Sequence, residues 1–261
     1  MTTKISSKNW RSTGGFSILE LVTVVAISVI VTAVAVPQMM SQRRLTRSSD
    51  VVHEIVTQMR YTRQLAMSQR QAFTFQYDDA TKQINIIDHN NATTNPDPIN
   101  NPTYDPAITS TAVLVAAGYP GTALPPCNPA PAVPVPCLVA TIPLTQGGLG
   151  VAEISYGIPS AAQLPGGALI PPAGPLGDGI SLTALTTNKL NITFQPDGSV
   201  VDPTGIPAAG IPLSAATPLD RALFIFNNKA AQGTLSAISV VGASGRIKVW
   251  RYTLSANTYS E

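Results

Sequence analysis

Charge is scarce in this chain. Only 11% of its 261 residues are Asp, Glu, Lys or Arg, against about 25% in an ordinary soluble domain. The formal net charge is +2, which excludes a uniformly basic coat for nucleic acid. Two cysteines and two histidines are too few for a Cys/His zinc cluster. The patterns GxSxG, HExxH, Walker A and paired CxxC are all missing. The corresponding hydrolase, metalloprotease, nucleotide-binding and redox templates therefore fail. Asp78-Asp79 is a candidate carboxylate pair, but adjacent side chains on a strand or turn diverge, and the pair reads more simply as a hairpin turn. No catalytic centre, metal site or cofactor is expected.

What charge there is, and nearly all the proline, is segregated. Lys4, Lys8 and Arg11 are the only charges before Phe16. No Lys or Arg occurs from residue 83 to residue 188, and 22 of the 23 prolines lie between Pro96 and Pro218. Hydrophobic residues make up 44% of the chain, so it is not a solvated disordered tail. Four zones result: a basic leader, an apolar helix with a polar extension, a Pro-rich charge-poor middle, and a strand-like C-terminal third.

The apolar zone runs FSILELVTVVAISVIVTAVAV from Phe16 to Val36, 21 residues with the single charge Glu20. About 20 apolar residues in a helix cross a bilayer core, and the preceding cations place the leader on the cytoplasmic side. A secretory signal would have a shorter apolar core followed by a small-residue cleavage site. Here the small pair Gly14-Gly15 precedes the run, so a cut after Gly15 removes the leader and keeps the helix. A carboxylate near mid-membrane costs roughly 2.5–3.5 kcal/mol, and such residues usually have a partner or a function. A new amine on Phe16 would lie four residues before Glu20, on the same helix face, and the amine of a neighbouring subunit could neutralise the carboxylate. A signal anchor with an incidental glutamate leaves the register of leader charge, Gly15, Phe16 and Glu20 unexplained.

The stretch GGFSILELVTVVAISVIVTAVAVP resembles the class III signal of type IV pilins and type II secretion pseudopilins. The resemblance implies that a prepilin peptidase cuts between Gly15 and Phe16 and methylates Phe16. It also implies that Glu20 is the assembly glutamate and that Pro37 is the helix-kinking proline often found there. The partners it implies are other pilins or pseudopilins and an inner-membrane assembly platform.

From Gln38 to about Arg70 neither Pro nor Gly occurs, and Val52, Ile55, Val56, Met59 and Ala66 form a stripe at steps of three and four, as in an amphipathic helix. A helix from Phe16 to about Arg70 would measure roughly 80 Å at 1.5 Å per residue. Arg43, Arg44, Arg47, Arg60, Arg63 and Arg70 read as its solvated face. Beyond it, Ala72–Tyr77 and Gln83–Asp88 flank Asp78-Asp79-Ala80-Thr81 as a hairpin. Further strand candidates are Val151–Tyr156, Leu190–Gln195, Ala222–Asn227, Leu235–Val241 and Arg246–Leu254, with another apolar run at Thr111–Ala117. NPAPAVPVP, between Cys127 and Cys137, reads as an exposed polyproline II tract. The expected organisation is a leader at 1–15, a transmembrane or filament-core helix at 16–37 and an amphipathic extension at 38–71. A periplasmic β domain follows at 72–261, with a Pro-rich insertion at about 90–188. The expected fold class is α+β, a long N-terminal helix packed on an antiparallel β domain, pilin-like.

ITFQPDGSV at Ile192–Val200 and ISVVGASGRIKVWRY at Ile238–Tyr252 resemble the GspH/FimT group of minor pilins and pseudopilins. In that group a PDG-type turn and a final strand opening with Gly-Arg close the domain. The long Pro-rich middle departs from the compact domain of that group. On an ideal strand Arg246, Lys248, Trp250 and Tyr252 share one face and Arg251 takes the other. Cations interleaved with aromatics can hold phosphates and stack bases, and some relatives with G-R-x-R here bind DNA during uptake. The pattern here is G-R-I-K, and Lys lacks the bidentate fork of Arg. An edge strand charged against aggregation, or a contact with another pilin, accounts for the same residues.

Cys127 and Cys137 enclose nine residues. In an oxidising periplasm or outside the cell they are expected to pair. Closing such a loop stabilises by about 3 kcal/mol in the chain-entropy model, less here because the flanking prolines already restrict the unfolded chain.

The leading functional reading is a minor pseudopilin or pilin, a structural subunit of a type II secretion pseudopilus or a type IV pilus. It would be held as a single-pass protein of the bacterial inner membrane before it enters a filament. The alternative on the same scaffold is a DNA-binding or adhesive minor pilin acting through the C-terminal basic strand. A third, contrasting reading is an uncleaved membrane-anchored periplasmic enzyme, for which no active site is found. Cleavage separates that last reading from the other two: Gly15→Val is expected to leave the full precursor in the membrane fraction, seen by gel mobility. A normally processed Gly15→Val chain would contradict the assignment.

Overall fold

The computed structural model describes residues 17–70, 72–88, 126–127, 137–145, 150–164, 166, 168–201 and 218–261. Asn90–Pro106, Thr111–Ala117 and the NPAPAVPVP tract lie outside them, as do Gly15 and Phe16. The chain divides into two compact units, one ending at Arg43 and one from Arg44 to Glu261. The fold class is α+β, an N-terminal apolar helix and a C-terminal antiparallel sheet domain.

Helix α1 covers Ile18–Gln69. Pro37 lies inside it, where it removes one amide donor from the ladder. Arg70, with φ of 55°, takes the left-handed conformation that ends helices. In the second unit Val51, Val52, Ile55, Val56, Met59 and Ala66 of α1 are buried, so the expected stripe is the face that the sheets cover.

Among the described residues ten strands form two antiparallel five-stranded sheets. The first has the order β3-β2-β1-β5-β6, with β1 at Phe73–Asp78, β2 at Gln83–Asp88, β3 at Cys137–Pro143, β5 at Lys189–Phe194 and β6 at Val200–Val201. The second has the order β10-β9-β8-β7-β4, with β4 at Ile154–Tyr156, β7 at Arg221–Asn227, β8 at Ser236–Val241, β9 at Arg246–Thr253 and β10 at Thr258–Ser260. The β1–β2 hairpin turns where Asp78 Oδ1 accepts from the amides of Ala80 (2.9 Å) and Thr81 (3.2 Å).

Phe73, Phe75, Tyr77, Ile84, Ile86, Leu190, Ile192 and Phe194 alternate onto the α1 side of the first sheet, the period-two pattern of a one-face core. The opposite face carries a row of polar side chains. Thr141 donates to Asn85 (3.0 Å), Asn85 to Gln76 (3.1 Å) and Gln76 to Asn191 (3.0 Å). All four sit at paired register positions on β3, β2, β1 and β5.

The second sheet is covered on both faces. Leu223, Ile225, Ile238 and Val240 join the α1 core, whereas Ala222, Phe224, Phe226, Ala237 and Trp250 pack under Leu164, Leu176 and Ile180. Part of the Pro-rich zone is strand β3, which is not among the strand candidates of the sequence, and the described residues within 158–182 lie over the second sheet with one 3-10 turn at Ala161–Gln163. Backbone and side-chain bonds hold them there: Thr183 N to Ala222 O (3.0 Å), Ala222 N to Thr183 Oγ1 (2.9 Å), and Tyr259 Oη to Pro172 O (3.0 Å). A Cβ on Gly177 would lie 2.8 Å from the Trp250 ring, so glycine is what lets this chain approach the indole. Cys127 and Cys137 form a disulfide at the start of β3, in agreement with the expected pairing.

One arginine departs from the solvated-face reading. Arg63 donates from Nε to Gly198 O (3.1 Å) and from its guanidinium to Ser244 O (3.0 Å). It thereby ties α1 to the PDG turn of the first sheet and the Gly242–Gly245 turn of the second. Those turns meet backbone to backbone: a Cβ on Gly245, whose φ is +59°, would lie 1.8 Å from Gly198 O. Nearby, Val200 N donates to Gly242 O (2.7 Å). Bonds from a charged donor contribute about 1.5–3 kcal/mol, so Arg63→Ala is expected to lower the unfolding free energy by about 2 kcal/mol. Gly245→Ala, which forces two backbones apart, is expected to cost at least as much. Chemical denaturation checks both, and an Arg63→Ala transition equal to wild type would contradict the linking role.

Candidate functional site

Within the described residues the N-terminal unit has no core of its own. Ile18–Val36 has a mean hydropathy of 2.6 and none of it is buried. By length and composition it is the one helix among the described residues able to cross a membrane. Twelve Ile, Leu and Val side chains in this segment are exposed, from Ile18 at 82% to Val36 at 47%. Isolated exposed aliphatics are ordinary, but a contiguous apolar surface marks a membrane or protein contact.

The polar side chains in this segment are internally satisfied, with one exception. Thr23 Oγ1 donates to Leu19 O (3.0 Å) and Glu20 O (2.9 Å), Ser28 to Val24 O (2.7 Å), and Thr32 to Ser28 O (2.7 Å). Such back-bonding lets hydroxyls enter an apolar medium. Ser17 Oγ caps the helix by accepting from Leu19 N (3.3 Å). Glu20 lies in the first turn, where the exposed amide ends of the helix favour an anion. Its carboxylate has no ion pair or hydrogen bond among the described residues. On an insertion scale the aliphatic residues contribute together roughly −4 to −7 kcal/mol, against roughly +3 kcal/mol for one central carboxylate. The segment therefore tolerates Glu20 in a membrane, but the carboxylate stays uncompensated until a cation reaches it.

The second candidate, the basic end of β9, is more committed. Lys248 pairs with Glu261 at 3.0 Å and lies 4.9 Å above the Trp250 ring. Trp250 is buried and donates from Nε1 to Ser239 Oγ at 2.8 Å; Ser239 in turn donates to Asp178. Tyr252 donates to Asn257 Oδ1 at 2.7 Å. Arg246 is exposed. Arg251 is exposed on the other face from Lys248, in a cleft beside α1. The indole is thus not open to a stacking base, and the cations that the sequence groups together are divided between two faces.

Comparison with known protein families, curated proteins and solved structures finds no match to this chain.

The remaining chemistry is structural. Asp88 lies close to Cys127 and Cys137, but both sulfurs are committed to the disulfide and offer no thiolate for a metal. Burial, reinforced by Asp79, holds the Tyr77 hydroxyl far above the ordinary tyrosine range, and burial does the same for Tyr156 and Tyr259. These phenols stay protonated and act as donors: Tyr77 to Asp79 at 2.8 Å, Tyr156 to Thr183 O, Tyr259 to Pro172 O. Lys229, 2.7 Å away, holds the Glu153 carboxylate below its usual range. None of these groups forms a nucleophile–base pair. Sequence reasoning did not anticipate the Arg63 link, since the five arginines on the second part of α1 look alike until the turns they face are known.

If Glu20 requires a cation from a partner, Glu20→Val is expected to insert normally but to assemble poorly. Membrane fractionation and recovery in filaments measure the two steps separately. Undiminished assembly of Glu20→Val would remove the pairing role.

Proposed function

We propose that this protein is a minor pseudopilin or pilin, a structural subunit of a type II secretion pseudopilus or type IV pilus. In this reading a prepilin peptidase cuts between Gly15 and Phe16 and methylates Phe16. The apolar part of α1 waits in the bacterial inner membrane with the sheet domain in the periplasm. It then leaves the lipid to pack against the helices of neighbouring subunits. The single observation that carries the reading is the pairing of the uncovered segment Ile18–Val36 with one unpartnered carboxylate near its start. A plain membrane anchor needs the apolar surface but gains nothing from Glu20. A helix that exchanges lipid for neighbouring helices needs both, because the free amine on Phe16 of an incoming subunit offers a charge partner at the right depth.

In this reading the sheet domain is the part of the subunit that faces outward. Its core takes in the second part of α1, and three of the four edge strands, β4, β6 and β10, are only two or three residues long, which limits strand-to-strand aggregation. The disulfide suits an oxidising compartment.

The experiment is co-expression with a complete set of filament components, followed by shearing of the cells. The expected result is mature chain in the sheared filament fraction. Filaments that form while this chain remains wholly in the inner membrane would overturn the proposal.

A further inference from the structure

Between α1 and the β8–β9 end of the second sheet lies a cleft of about 630 Å³, within the size range of small-ligand sites. Its apolar lining comes from Val52, Leu235 and Val249, and its polar rim from Ser48, His53 and Arg251. Arg251 brings a positive charge to that rim. Arg251 makes no hydrogen bond or ion pair among the described residues, and its cross-strand neighbours are Ser236 and Ser260, which carry no charge to meet it. Glu261 also lines the cleft, but its carboxylate is taken by Lys248 at 3.0 Å. The contrast with Arg63 is direct, since that guanidinium is occupied by two carbonyls.

We infer that this cleft binds an amphiphilic oxyanion, an anionic head carrying an apolar chain. The planar guanidinium of Arg251 grips the head through two parallel N–H donors. His53 and the Ser48 hydroxyl offer further donors from α1. The chain lies along Val52, Leu235 and Val249, where burial of each CH2 adds to affinity. Neither half of the site serves the other ligand class well: a bare anion leaves the apolar wall wet, and a neutral alkyl chain leaves the guanidinium without a partner.

The test uses full-length protein in a neutral maltoside detergent, with hexyl phosphate as probe and inorganic phosphate and 1-hexanol as comparisons, read by calorimetry and by NMR shifts at His53. Hexyl phosphate is expected to bind saturably and at least about ten-fold more tightly than either comparison, as expected from several buried methylenes and one charged pair. Arg251→Gln is expected to weaken hexyl phosphate about ten-fold or more, His53→Gln to weaken it less, and Arg246→Gln to leave it unchanged. Equal binding by wild type and Arg251→Gln would overturn the site, as would inorganic phosphate binding as tightly as hexyl phosphate. Should Arg251→Gln fail to fold, Arg251→Lys keeps the charge but loses the fork. An intermediate loss supports the inference, and full affinity in Arg251→Lys contradicts it.

Discussion

The rest of the structure depends on one constraint: twelve adjacent aliphatic side chains between Ile18 and Val36 have nothing in their own unit to cover them. At about 25 cal/mol per Å² of apolar surface, no folded chain holds such a surface in water without strong pressure to associate. The hydroxyls in the segment are already turned inward to backbone carbonyls, so the helix is compatible with lipid or with other helices along almost its whole length. Glu20 is the exception, and its position in the first turn ties its fate to whatever arrives at the helix start. Removing one carboxylate would make a better anchor, and the proposed filament role is what gives that carboxylate a partner.

The second unit solves the opposite problem. Only one stripe of α1 from Val51 to Ala66 needs cover, and residues from both sheets supply it in one core. Because the sheets are separate, something must fix them against each other. Arg63 does so by reaching two turns that are 46 residues apart in sequence, at Gly198 and Ser244, and the glycines there let the backbones touch. The second sheet then has its own remaining face to bury. It uses chain that is poor in charge and rich in proline, which loses little entropy on being ordered. The absence of Lys and Arg between residues 83 and 188 is thus in part a burial requirement: residues 158–182 include the cover over Phe224, Phe226 and Trp250.

Much of this was legible in the sequence. The apolar helix, the stripe on its second part, the β1–β2 hairpin and strands β5, β7, β8 and β9 all followed from periodicity and turn residues. Strand β3 did not, although CLVATIP alternates, because it is embedded in proline punctuation that argues against strands; it survives as an edge strand, where proline is tolerated. Strands β6 and β10 are two and three residues long, too short for any pattern. Face alternation correctly separated Arg251 from Lys248 on β9. What alternation cannot say is that the face shared by Trp250 and Lys248 is roofed by the chain around Gly177, since that cover comes from about 70 residues away. Pairwise commitments such as Lys248 with Glu261 are equally invisible before the fold is known.

The central claim is that the apolar helix outlasts its basic leader and carries a new amine that can meet Glu20. Mass spectrometry of the N-terminus of the chain recovered from its native membrane tests this most directly. The account predicts a chain beginning at Phe16 with a methylated amine. A chain that still carries residues 1–15 would contradict it.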